Sequence, residues 1–331
     1  MHAEAKKHAV RFLAFVLILF AVLKGISIGI DGVCLKKKGI VTGRLQNVVG
    51  CMNEPANSLD IVVLGDSESY NSFSPMIFWK NNGVTSYVMG QSGQQITEAY
   101  NNLSEVLTKQ NPRLVLLETN MLFRSPAAVS DKANVLYHAV NQNFSVFRFH
   151  NLWKRVGKAS SSVMDNFFKG YTIVENVNAY EGSADYMAVN KKDSQISDHV
   201  RKYTQMIADL CKEKNIQLVF YTAPSPVNSC MGMSRAVTAY AKELGVPYYD
   251  LNLKTAELGI NWQTDTYDKG DHLNASGAVK VSQYLSRQLA AFHLPNHQNE
   301  TAYQSWARLE KDYEIRMMAV LERNTKWQIS L

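Results

Sequence analysis

Residues Ile61 to Leu64 form an unbroken apolar run that ends in Gly65-Asp66-Ser67. A stretch this short, with no polar alternation, reads as a strand covered by helices on both faces, the situation of a strand inside a parallel sheet. Gly65 is expected to break the strand and allow a sharp turn, which places Ser67 at the carboxyl edge of the sheet beside the start of a helix. Backbone N–H groups at such a position can hold a developing oxyanion. The plainer reading of the same residues is a strand end whose Asp66 or Ser67 caps the next helix.

The pattern recurs. Thr85 to Met89 reads as a second strand ending in Gly90-Gln91-Ser92-Gly93, and Leu114 to Leu117 as a third ending in Glu118-Thr119-Asn120. Ser72 to Asn82 has helical character, and Ile96 to Lys109 carries Ile96, Ala99, Leu103 and Val106 on one face of an amphipathic helix. Further on, a helix over Asp198 to Lys214 precedes a strand over Ile216 to Tyr221. A helix over Ser234 to Leu244 closes at Gly245 before a strand over Pro247 to Leu251, and a last helix runs from about Ala275 to Phe292. This alternation predicts an α/β fold: a doubly wound parallel sheet in a three-layer sandwich, with its strand ends gathered at one edge.

Other segments flank or interrupt that unit. Val10 through Ile30 is a stretch of 21 residues with two charges, Arg11 at its start and Lys24. At about 1.5 Å per residue it can cross a hydrocarbon core of roughly 30 Å, with Lys24 snorkelling near its far end. No small-x-small site follows it, so residues 1–31 are expected to be an uncleaved stub and transmembrane anchor rather than a signal peptide. Basic residues flank both ends, so charge does not orient the anchor. Residues 32–57 are expected to be a membrane-proximal connector and 58–295 the α/β domain. An aromatic-rich insertion at about 125–200 reads equally as a cap over the strand ends or as a packed helical subdomain. Within it Arg148, His150 and Trp153 are candidate substrate contacts. Residues 296–331 form a helical tail with Trp306, Leu309, Tyr313, Met317 and Leu321 on one stripe, expected to be core or a self-packing extension.

Composition narrows the partners. Hydrophobic residues are 46% and charged residues 19% of the chain, which excludes a disordered protein. The 35 Lys plus Arg exceed the 29 Asp plus Glu, and the excess clusters near the N-terminus, pointing to a membrane surface and not to nucleic acid. There is no GxGxxG or P-loop run, and no Cys or His spacing typical of a metal, so neither cofactor nor metal is expected. For Cys34 and Cys51 a disulfide and two free thiols both stay open.

The chemistry gathers around Thr266 to Asn274, where His272 stands among Asp268 and Asp271 just before a helix. Paired with Ser67, an imidazole there can take the hydroxyl proton while a carboxylate fixes its tautomer. The Gly93 N–H and the Asn120 carboxamide are then candidate oxyanion donors beside the Ser67 N–H.

Gly65-Asp66-Ser67, Gly93, Asn120 and His272, in that order and each beyond a strand, resemble the four blocks of the SGNH/GDSL hydrolases over roughly Leu59 to Phe292. The resemblance implies Ser67 as nucleophile, His272 as base, and Ser67, Gly93 and Asn120 as oxyanion donors. Two departures accompany it. The family's acid lies three residues before the histidine, where this chain has Lys269, so Asp268 is favoured over Asp271. Glu118-Thr119-Asn120 also replaces the usual Gly-x-Asn-Asp. With its anchor, the chain is also similar to membrane-bound surface-polymer proteins of bacteria: the DltD-like proteins of lipoteichoic-acid D-alanylation and the SGNH partners of membrane-bound O-acyltransferases. That likeness implies a domain outside the cytoplasm, acting through an acyl-serine on an ester of a surface glycan or teichoic-acid-type polymer. The alternative is a non-catalytic scaffold that binds polymer or docks on a membrane-bound O-acyltransferase.

Overall fold

Strand residues that are buried on both faces must send alternate side chains into two separate cores, and the chain does so. The computed structural model describes residues 2–34, 41, 43–124, 131–149, 167–183, 185–189 and 194–329. It divides into two compact units, one of residues 1–43 and 127–161 and the other of residues 44–126 and 162–331.

The first unit contains α1 (His2–Cys34), α6 (Asp131–Asn143) and α7 (Ser145–Arg148). The second begins with α2 (Gln46–Met52), β1 (Ile61–Leu64), α3 (Ser67–Ser72), α4 (Pro75–Asn82), β2 (Ser86–Val88), α5 (Ile96–Val106) and β3 (Leu114–Glu118). After the first unit's segment come β4 (Phe167–Phe168), β5 (Tyr171–Thr172), α8 (Tyr186–Val189), α9 (Asp198–Glu213), β6 (Gln217–Thr222), α10 (Met231–Leu244) and β7 (Tyr248–Asp250). The unit closes with α11 (Thr255–Leu258), α12 (Ala275–Leu289) and α13 (Gln304–Ile329).

Five strands form a wholly parallel sheet in the order β2-β1-β3-β6-β7, and β4 pairs with β5 as a separate antiparallel hairpin. Ile61, Val63, Leu114, Leu116, Val219 and Tyr221 enter one core with Phe73, Phe78 and the α12 residues Val281 and Leu285. Val62, Leu64, Val115, Leu117, Leu218 and Phe220 enter the other, with Leu103 of α5, Ile207 of α9 and Val237 of α10. This is the expected three-layer arrangement. The chain leaves β2 and returns past β1 to build β3, so the order reverses between β1 and β3, the kind of switch point where open α/β sheets place their chemistry. The register Leu64↔Leu117 and Glu118↔Tyr221 brings these strand ends level.

Several local expectations shift. The helix expected from Ser72 is two helices: α3 begins at Ser67 itself, and the chain then extends through Phe73 and Ser74 because Pro75 disfavours helical geometry just before it. Part of the expected connector is a helix of the second unit, with Val48, Val49 and Cys51 of α2 buried. Cys51 is a buried free thiol, and the side chain of Cys34, the other cysteine considered, lies outside the described ones. The insertion is divided: residues 127–161 belong with the N-terminal helix, while the β4–β5 hairpin and its sequel belong with the sheet. In the tail, Trp306, Tyr313 and Met317 of α13 are core residues, and Leu321 falls outside the described side chains.

Candidate active site

Ser67 is the first residue of α3, and the turn that presents it is built from short contacts. Asp66 caps the helix by accepting from the Glu68 N–H at 3.0 Å, and the Ser69 hydroxyl donates to the Asp66 carbonyl at 2.7 Å. Gly65 is required for closeness. A Cβ there would lie 2.6 Å from Ser69 Cβ and 2.8 Å from Glu118 Cβ. Its φ is not among the positive ones, so the sharp-turn expectation gives way to a packing reason.

His272 lies on a loop that closes on itself. The Thr266 hydroxyl donates to the His272 carbonyl at 2.8 Å and accepts the Gly270 N–H at 2.9 Å. Two residues on, Asn274 caps α12 by accepting from Ser276 and Gly277. Lys269 and Gly270 both adopt positive φ, 63° and 87°. These two left-handed residues take up the extra position between acid and histidine, so an aspartate four residues ahead reaches the ring. Asp268 Oδ2 lies 2.7 Å from His272 Nδ1, and Asp268 Oδ1 accepts the His272 backbone N–H at 2.7 Å. His272 Nε2 lies 2.7 Å from Ser67 Oγ. Asp271 Oδ1 is 3.8 Å from Nδ1 and instead accepts from Asn228 Nδ2 at 2.5 Å. Tyr267 stacks over the imidazole, with ring centroids 5.7 Å apart and planes 11° from parallel.

The three expected oxyanion groups differ in their state. Among the described residues, the Ser67 and Gly93 N–H groups have no acceptor. Gly93 has φ of 61°, which a glycine adopts without strain. Asn120 Nδ2 donates to Asp66 Oδ2 at 2.9 Å, and the Asn120 N–H donates to Glu118 Oε2 at 2.9 Å. Glu118 Oε1 also accepts from the Ala223 N–H at 3.3 Å, so this carboxyl ties the ends of β3 and β6 together.

Behind Ser67 three carboxyl groups are buried: Asp66, Glu68 and Glu118. Arg124 approaches Asp66 Oδ2 at 2.5 Å. Burial, followed by the neighbouring charge of Glu118 and then Asp66, pushes the Glu68 carboxyl well above its usual range. Burial and then Asp66 push Glu118 up as well. Glu68 Oε1 accepts from Asn228 Nδ2 at 2.7 Å, while its Oε2 is buried with no partner. The ligand atoms of Glu68, Asp271 and His272 lie within 4.8 Å of one another. Both ring nitrogens of His272 are already engaged by Ser67 and Asp268, so this group fits a hydrogen-bond network and not a metal centre.

Glu68, Asn228 and Arg124 were not singled out from the sequence. Glu68 adjoins Ser67 and carried a signal in that adjacency, whereas nothing local marks Asn228, which reaches the site only through the loop after β6. Ser225 Oγ donates to the Asp271 carbonyl at 2.8 Å and accepts the Asn228 N–H at 3.1 Å, so that loop braces the histidine loop. Of the candidate substrate contacts, Arg148 lies in α7 of the first unit with its guanidinium 5.5 Å from the Phe149 ring centroid. His150 and Trp153 lie outside the described residues.

No protein-family model matches the chain, and no curated protein matches it. Similar solved structures include the acetyl xylan esterase AlAXEase, at 14% identity over 70% of this chain and 98% of that one, with a TM-score of 0.36. A GDSL-like lipase from Bacteroides thetaiotaomicron is 14% identical over 71% of this chain and 88% of that one, with a TM-score of 0.34. A two-domain esterase active on acetylated mannans is 12% identical over 73% of this chain and 51% of that one, with a TM-score of 0.40.

Proposed function

We propose that this chain is a membrane-anchored serine esterase or O-acyltransferase of the SGNH type, working through an acyl-serine intermediate. The observation that carries the proposal is the series Ser67 Oγ, His272 Nε2, His272 Nδ1 and Asp268 Oδ2, joined by two contacts of 2.7 Å. In the first half-reaction Ser67 Oγ attacks the ester carbonyl and its proton passes to His272 Nε2, leaving an imidazolium faced by Asp268. The Ser67 and Gly93 N–H groups and the Asn120 carboxamide receive the oxyanion. As the tetrahedral species collapses, the imidazolium proton goes to the departing alcohol oxygen. In the second half-reaction His272 takes a proton from water or from a sugar hydroxyl, which releases the acid or a new ester.

The scaffold reading tolerates a misaligned acid, and the Asp268 contact favours the catalytic reading over it. Support for anchoring is α1, whose stretch Glu4–Gly32 is long and apolar enough to cross a bilayer, with large apolar side chains 41% to 69% exposed. The domain on the far side of that anchor acts, in this reading, on an ester of a surface glycan or teichoic-acid-type polymer, with a membrane-bound O-acyltransferase as the partner that supplies acyl groups. The test is turnover of a short-chain aryl ester by the full chain in vesicles, with and without a soluble polyol. Ester consumption that Ser67→Ala abolishes is expected, and diversion of acyl groups to the polyol marks transfer. Equal turnover by wild type and Ser67→Ala removes serine from the mechanism.

A further inference from the structure

A helix that crosses a bilayer has no reason to carry polar residues on one stripe unless something meets them there. On α1, Lys24, Ser27 and Asp31 recur at intervals of three and four and so share one face. That face is met by the last residue of α6, the start of α7 and the residue between them. Lys24 Nζ donates to the Asn143 carbonyl at 2.6 Å and lies 5.0 Å from the Phe144 ring centroid. The Val146 N–H donates to Ser27 Oγ at 3.3 Å, and the Ser145 hydroxyl bonds to Asp31. Ser27 is accordingly buried, although its neighbours along the helix are exposed.

These contacts fix the depth of the α6–α7 hairpin. Lys24 to Asp31 is the last third of the apolar stretch, about 10 Å of helix at 1.5 Å per residue. If α1 spans, the hairpin lies between the outer hydrocarbon and the headgroups of one leaflet. Its surface suits that place. Leu136 is 65%, Tyr137 63% and Phe147 42% exposed, an aromatic and aliphatic mixture of the kind that prefers the membrane interface. Asn141 and Asn143 turn their carboxamides back to the Tyr137 and Ala139 carbonyls at 2.9 Å each, which lowers the cost of placing them in low dielectric. At 13 residues α6 measures about 20 Å, too short to cross.

We infer that α6 and α7 form an interfacial hairpin that lies in the same leaflet as the end of α1, with lipid as the occupant of the Leu136, Tyr137 and Phe147 surface. The inference rests on the reading of α1 as an anchor and adds a second, non-spanning contact with the bilayer. The test uses the wild-type full chain in phosphatidylcholine vesicles doped with a lipid carrying a diazirine either near the headgroup or at the acyl terminus. After photolysis, adducts are located on two tryptic peptides, Phe12 to Lys24 and Ala133 to Arg148. The expected result is labelling of the α1 peptide by the acyl-terminal probe and of the hairpin peptide by the headgroup probe, the latter several-fold above its labelling by the deep probe. Labelling of α1 with none on the hairpin overturns the inference and leaves the anchor standing. Labelling of neither peptide overturns the anchor, and the hairpin inference with it.

Discussion

Two backbone angles decide which carboxylate serves His272. Lys269 and Gly270 turn left-handed, and by absorbing one residue they carry Asp268 to the ring while Asp271 points to Asn228. Asp268→Asn is therefore expected to lower kcat by about 10⁴-fold, the effect of losing the tautomer-fixing acid in other triads. Asp271→Asn should cost at most about fivefold, the size of a surface ion pair of about 1 kcal/mol. Steady-state kinetics on an aryl ester distinguishes the two, and the reverse ranking would reassign the acid. The buried acid beside Ser67 gives a prediction in pH. Glu68 is raised in the fold, so the folded chain holds its proton where the unfolded chain has lost it, and stability falls as pH rises above about 4.3. Glu68→Gln keeps the acceptor for Asn228 and removes the titration. Its unfolding free energy in urea should gain on wild type as pH rises above about 4.3, by up to about 1.4 kcal/mol per pH unit. Parallel profiles would place the proton elsewhere. Ser67, Gly93 and Asn120 were legible because each follows a strand end, and Asp268 and His272 because they cluster in the loop just before a helix. Asn228 was not, because a partner in a distant loop leaves no local trace, and Glu68 was marked only by its place beside Ser67.

At the scale of elements, close packing holds the site in place. α3 packs so closely on β1 and β3 that Gly65→Ala forces Cβ atoms together, an overpacking expected to cost about 1 to 3 kcal/mol in denaturant unfolding. A cost near zero would mean that α3 shifts freely, and Ser67 with it. At the other end of the chain Trp306 is buried against Trp79, at a centroid distance of 5.5 Å, and under the Lys169 ammonium at 4.5 Å. Trp306→Ala is expected to cost about 3 to 5 kcal/mol, as for a core aromatic, whereas an appended tail would lose almost nothing. β1, β3 and β6 were readable from apolar runs because these strands are covered on both faces. α2 was hidden: its seven residues include Gly50 and Asn47, and only tertiary burial of Val48, Val49 and Cys51 makes it a helix.

At the scale of the whole molecule, one chain interrupts its sheet unit to return a segment to its N-terminal helix. Sequence pattern registered the interruption at about residue 125 but not its allegiance, since aromatic composition suits a cap and a membrane-facing hairpin alike. The central claim concerns Ser67, and a fluorophosphonate probe applied to the full chain tests it most directly, with the modified residue read by mass spectrometry. Labelling at Ser67 that is lost in His272→Ala is predicted, because only a serine with a base at 2.7 Å is activated enough to react. A folded chain that takes up no probe, or takes it up equally without His272, would contradict the assignment of Ser67 as a nucleophile.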